Sequence, residues 1–307
     1  MSIARSQSLS GRAKGWGFAQ EGRDLLVAIT GGAIVGMPLL YTMEMWSSGL
    51  RLGPGQHLAL LVGTLFINWL FSIVSGFRHE YGALSAALES VTAVGIGVVF
   101  SSLILWLVGE IAPGDPSSEI VGKVLFQAVP VSLGVSVADA HVRGKRRDGE
   151  EEREKQEKSP AKSRPARPPR AELEREQLRQ DVRDVSSTLS GALLFSINIG
   201  PTEEVILIAG RLGAMQLVTI AFASLLLCYI ILFASGIKDH PVHIQSLVQS
   251  PLAETVITYA ASLLVALGLL VVLGEPDAVG SLDSLVAATV ALGLPTAVGG
   301  AAGRIAL

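Results

Sequence analysis

Charge and cysteine are the scarce commodities in this chain. Charged residues make up 17 % of the 307, against roughly a quarter in a soluble domain. Much of that charge is confined to residues 143–184, so the rest is nearly free of it. A conventional soluble fold is therefore excluded. The single cysteine, Cys228, lies inside an apolar run. It excludes a disulfide framework within the chain and a cysteine-based zinc site. Also missing are a Walker loop, a dinucleotide glycine motif, a zinc-protease helix and a serine nucleophile elbow in a suitable context. No enzymatic activity, cofactor, metal centre or nucleic-acid partner is expected.

What remains is apolar. Half of the residues are hydrophobic and the mean hydropathy is +0.49. Runs of about 20 apolar residues are long enough to cross the hydrocarbon core as helices. In that solvent only helices or closed barrels satisfy the backbone. Hydropathy predicts eight spans, near 25–47, 56–77, 83–109, 119–141, 186–211, 214–236, 252–274 and 282–303. The first is preceded by a polar segment, residues 1–22, with no small-residue cleavage site after the apolar run. It reads as a retained helix, not a signal peptide.

Between the fourth and fifth spans, residues 143–182 form a charged linker. Its middle, Ser159 to Arg170, is rich in Pro and Arg. Such a composition cannot bury enough apolar surface to offset chain entropy, and disorder is expected there. From Ala171 to Asp184 the residues favour helix and extend the fifth span into water. The linker reads as a tether between halves, or as a docking or headgroup-binding segment. Arg5, Arg12, Lys14, Arg23, Arg78, Lys238, the linker and Arg304 all fall on one side of an eight-span chain. The positive-inside rule makes that side cytoplasmic, with both termini on it.

The chain also repeats itself. Shifting the second half back by 160 puts Arg183-Asp184 on Arg23-Asp24, Gly191 on Gly31 and Thr202-Glu203-Glu204 on Thr42-Met43-Glu44. Arg211-Leu212-Gly213 then falls on Arg51-Leu52-Gly53, and Gln216 on Gln56. After a five-residue insertion the shift becomes 165, with Glu254 on Glu89, Gly274-Glu275 on Gly109-Glu110, Pro295 on Pro130 and Gly299 on Gly134. Four spans per repeat is an even number, so both halves enter the membrane from the same side. The expected fold is all-α and polytopic: two parallel four-helix repeats, 23–142 and 183–307, about a pseudo-two-fold axis along the membrane normal.

Two segments carry a resemblance. PLLYTMEMW, Pro38 to Trp46, and GALLFSINIGPTEE, Gly191 to Glu204, resemble a family of bacterial integral membrane proteins of unknown function. The resemblance implies a bacterial inner-membrane location. It implies no activity and no site residues.

The candidate site rests on intramembrane acids. Glu44 and Glu204 lie seven residues before Arg51 and Arg211, roughly 10 Å deeper on a straight helix. A carboxylate at the helix centre costs about 2.5–3.5 kcal/mol on insertion scales, so these acids need a reason. Thr42 and Thr202 supply hydroxyls, Asn198 lies nearly two turns below Glu204, and Glu203 points about 100° away from it. Pro201 with Gly200, and Pro38 in the first span, are expected to bend the helices and free carbonyls. Facing each other across the axis, such helices would suit a cation or a proton pathway. The structural alternative is that the acids hold helices together through Thr, Asn, Trp46 or backbone groups. Glu89 and Glu254 form a second pair, either marking the inner interface or lining the same path. His57, His79, His141, His240 and His243 read as end and loop residues.

The function expected is a cation or proton-coupled transporter or channel using these carboxylates. The alternative is a non-transporting scaffold or sensor acting through the linker. The expected partners are the lipid bilayer and a cation or protons, with homo-oligomerisation left open.

Overall fold

A computed structural model describes residues 3–75, 83–157, 170–234, 250–273 and 280–306. Among these the chain forms ten α-helices and no strand. They are α1 (Ile3–Leu40), α2 (Met43–Arg51), α3 (Pro54–Ser75), α4 (Ala83–Leu107), α5 (Ser117–Glu157), α6 (Arg170–Ile199), α7 (Glu203–Arg211), α8 (Ala214–Tyr229), α9 (Pro251–Leu273) and α10 (Leu282–Ala306). A π turn, Ile230–Ala234, prolongs α8. Proline opens α3 and α9, where its missing N–H costs nothing. Seven helices are long and apolar enough to cross a membrane. An eighth span results if the bent pair of Val182–Ile199 and Glu203–Arg211 counts as one.

The long helices follow hydropathy, and two expected spans are broken. Instead of running to residue 47, the first ends at Leu40 and restarts at Met43. The fifth ends at Ile199 and restarts at Glu203, turning by 89°. Each nine-residue restart carries its own helix signature. Thr42 and Thr202 stand extended at the N-cap, acids follow in the first turn, and Arg51 and Arg211 close the last turn. That charge order complements the helix dipole. The Thr-x-Glu motif is therefore a helix start. The eight residues from Glu204 to Arg211 run across the direction of α6, so the depth estimate drawn from a straight helix does not apply there. Pro38 lies inside α1, whereas Gly200 and Pro201 form the second break itself.

α5 is the helix on which the first half packs, and α10 serves the second. α1 crosses α5 where Gly31 meets Gly134, and a methyl on either would run into the other's carbonyl oxygen. α6 crosses α10 where Gly191 meets Gly299 and Gly303. Small residues let backbones approach this closely in membranes. Most of α10 between Ala287 and Ala301 is buried. The outward faces of the other helices carry Phe66, Val99, Leu194, Phe222, Leu264 and Val272, each more than half exposed, as lipid-facing surface requires. Of the linker, 143–157 continues α5 and Arg170 onward begins α6, matching the expected helical tail. Residues 158–169, like His79, His240, His243 and Glu275, lie outside the described residues.

Candidate functional site

At the two breaks the halves of the chain meet. Thr42 Oγ1 donates to Leu39 O at 2.9 Å, and Thr202 Oγ1 donates to Ile199 O at 2.6 Å. Each threonine thus satisfies a carbonyl at the end of the preceding helix, where no intrahelical donor remains. The Trp46 indole donates to Leu40 O at 2.9 Å. The Tyr41 hydroxyl, fully buried, reaches across to Ala291 O on α10 at 3.0 Å. The Glu204 carboxylate, 6 % exposed, accepts the Met43 N–H at 2.9 Å. It thereby caps α2 from the opposite half of the chain.

The expected pairing of the acids is realised unequally. Glu204 is buried, and its neighbour Glu203 is exposed, as their angular separation implies. Glu44 is also exposed, although Met43 beside it touches Glu204. Asn198 is exposed and turns back onto Leu194 O of its own helix at 2.7 Å. Leu40, Tyr41, Ile199 and Val205 fill the junction at 0–1 % exposure. This packed junction has the features of a joint between halves. Glu204→Ala is expected to cost about 1–3 kcal/mol, because it removes the hydrogen bond that a buried carboxylate makes to the start of α2. Glu44→Ala should change stability by less than about 0.5 kcal/mol. Thermal unfolding of the two variants in detergent measures the difference, and equal melting temperatures would remove the cap from the account.

Carboxylates gather elsewhere, in the first half, at the end of the bundle from which the charged 143–182 segment leaves. A cavity of about 380 Å³ lies among α1, α3, α4 and α5. Its lining includes Glu21, Asp24, Glu89 and Asp139, with Ser72 and Ser136. Glu21 and Asp24 are exposed at its rim, while Glu89 and Asp139 are half-buried. Among the described residues no three His, Cys, Asp or Glu side chains converge tightly enough to hold one metal ion. Inward from the cavity, Ser136 Oγ donates to Asn68 Oδ1 at 3.0 Å, and Asn68 Nδ2 donates to Ser132 Oγ at 3.2 Å. Asn68 and Ser132 are fully buried. Further along α5, fully buried Gln127 reaches Leu39 O at the α1 break at 3.4 Å, and its Oε1 has no partner among the described residues.

Glu254, which the 165-residue shift sets on Glu89, is bonded to Arg304. Arg304 Nη2 donates to Glu254 Oε2 at 2.9 Å and to Asp184 Oδ2 at 3.0 Å, while its Nη1 donates to Thr258 Oγ1 at 3.1 Å. On the opposite end of the bundle, buried Glu110 accepts from Arg211 and, at 3.2 Å, from Lys123. Of the cavity acids, sequence reasoning singled out Glu89 alone. Asp24 stood in the repeat alignment. Asp139 carried a signal too, since the same register sets it against Arg304.

Ten helices, an apolar outer surface and seven to eight membrane-length segments among the described residues define a multi-pass integral membrane protein. The chain belongs to the family described as "Putative integral membrane protein (DUF2391)", whose model matches residues 24–307. No curated protein and no solved structure matches it.

Proposed function

We propose that this is a non-enzymatic, cation- or proton-translocating protein of the bacterial inner membrane, and that its path runs through the first half of the chain. The observation that carries this reading is the carboxylate-lined cavity continuing into the Ser136–Asn68–Ser132 hydrogen-bonded thread. Ionisable groups within membrane segments are costly, and they commonly mark ion or proton routes. Among the described residues the second half has no such thread. The repeat register replaces Asn68 by Cys228, Gln127 by Leu292, Ser132 by Ala297 and Ser136 by Ala301.

In this reading the fold is eight spans in two parallel repeats, with α2 and α7 as short helices beside the breaks. Matched details support the duplication. The glycine crossings correspond, as do the threonine hydroxyls bonded to Leu39 and Ile199. Gln56 and Gln216 likewise each accept a glycine N–H, at 2.8 and 2.9 Å, before α3 and α8. Both termini and the 143–182 segment lie in the cytoplasm by lysine and arginine placement, so the cavity opens to that side.

Proteoliposomes test the proposal. Proton flux is followed with an internal pH dye, and potassium or sodium flux with imposed diffusion potentials. The wild type should conduct at least one of these ions above protein-free vesicles. A Glu89→Gln/Asp139→Asn double variant should be at least tenfold slower, and Glu44→Gln should stay within twofold of wild type. Wild-type flux no faster than empty vesicles, or an unimpaired double variant, would refute the path.

A further inference from the structure

The repeat register turns the Arg304 cluster into a description of the cavity's ligand. Subtracting 160 carries Asp184 to Asp24. Subtracting 165 carries Glu254 to Glu89, Thr258 to Ala93 and Arg304 to Asp139. All four of these first-half positions line the cavity of about 380 Å³. In the second half the same positions hold a guanidinium. Arg304 bonds Asp184, Glu254 and Thr258 within 3.1 Å, and its side chain is only 13 % exposed. In the first half the aligned residue is not an arginine. An acid replaces it, the Thr258 hydroxyl becomes the Ala93 methyl, and a cavity lies among the four positions.

We propose that this cavity binds a small organic cation bearing a guanidinium group, seated where Arg304 sits in the second half. The inference rests on the reading that the cavity is the cation's way into the first half. Three observations favour this chemistry over an alkali ion or a divalent metal. The aligned acids already display their preferred partner in Arg304. The cavity reaches the size range of small-molecule pockets, about 300–1,000 Å³, far above the roughly 30 Å³ of a water. The acids surround it without converging on a point. A planar guanidinium spreads five N–H donors over that perimeter and sheds its hydration more readily than an ammonium. Asp24, Glu89 and Asp139 each have polar contacts of their own, but an ionised carboxylate has about four lone-pair sites and accepts further donors.

The test is calorimetric titration of the purified full chain in detergent with methylguanidinium chloride, against sodium and potassium chloride at equal ionic strength. One saturable site per chain is expected, at least tenfold tighter for methylguanidinium than for either metal ion. In Asp139→Arg the chain's own guanidinium fills the seat, so binding should disappear while the melting temperature is held or raised. Glu89→Gln, a milder change, should weaken binding at least tenfold. Absence of saturable binding to the folded wild type overturns the proposal, as does undiminished binding to Asp139→Arg. Ion flux without methylguanidinium binding would defeat this inference and leave the translocation reading standing. Binding to a protein that conducts none of the ions tested would do the reverse.

Discussion

Gly191→Ala is expected to cost about 2–3 kcal/mol of folding stability, a large loss for one methyl group. At this crossing α6 lies backbone to backbone on α10. The added carbon would run into Gly299's carbonyl oxygen and, at 2.8–2.9 Å, the backbone of Gly303. Backbone atoms have no rotamer to escape into, so one helix must move. Because α10 is the packing centre of the second half, that displacement spreads to α7, α8 and α9. Gly268→Ala is the control. Gly268 lies within α9 with nothing inside 4 Å of an added methyl, so the same change should stabilise by about 0.5–1 kcal/mol through helix propensity. Thermal unfolding in a single detergent compares the two. Melting points of Gly191→Ala and wild type within a degree would show that the crossing tolerates separation.

Glu110→Ala is the second large effect, about 3 kcal/mol of destabilisation. Glu110 is 6 % exposed and joins Arg211 of the second half to Lys123 on α5. The Lys123 ammonium also donates to the Glu110 carbonyl at 2.7 Å, so it is fixed in place. Removing the carboxylate leaves that ammonium, 14 % exposed, without its counter-charge. Arg211 is 54 % exposed and can turn to water. Arg211→Ala alone should therefore cost less than about 1 kcal/mol. A double-mutant cycle isolates the contact between halves, and a Glu110→Ala loss below about 0.5 kcal/mol would mean that solvent already screens the cluster.

Much of the fold was legible from hydropathy, and the breaks were legible from another signal. A span-length average passes over an interruption of two or three residues, so 25–47 and 186–211 read as continuous. Thr-x-Glu followed by Arg51 or Arg211 is nonetheless an N-cap, an acidic first turn and a basic last turn, which together announce a helix start inside an apolar run. Depth along a straight helix carries no mark of that start. Glu89 was legible because the 165-residue shift sets Glu254 on it. The cavity was not, since it depends on which faces of α1, α3, α4 and α5 leave space between them, and periodicity does not specify that. The opposition of Asp139 and Arg304 was available from the register and needed only to be followed to the ends of the last helices.

The Glu204 cap also sets an order in time. Met43 donates its N–H to a carboxylate 161 residues later. At about 5–20 residues per second a ribosome needs roughly 10–30 s to make that stretch. Through that interval the start of α2 lacks its acceptor, and Tyr41 lacks the α10 carbonyl that it bonds in the finished protein. The first half is thus a nascent intermediate whose closing contacts are supplied by the second, and a chain cut within the 143–182 segment would depend on the separate arrival of its complement.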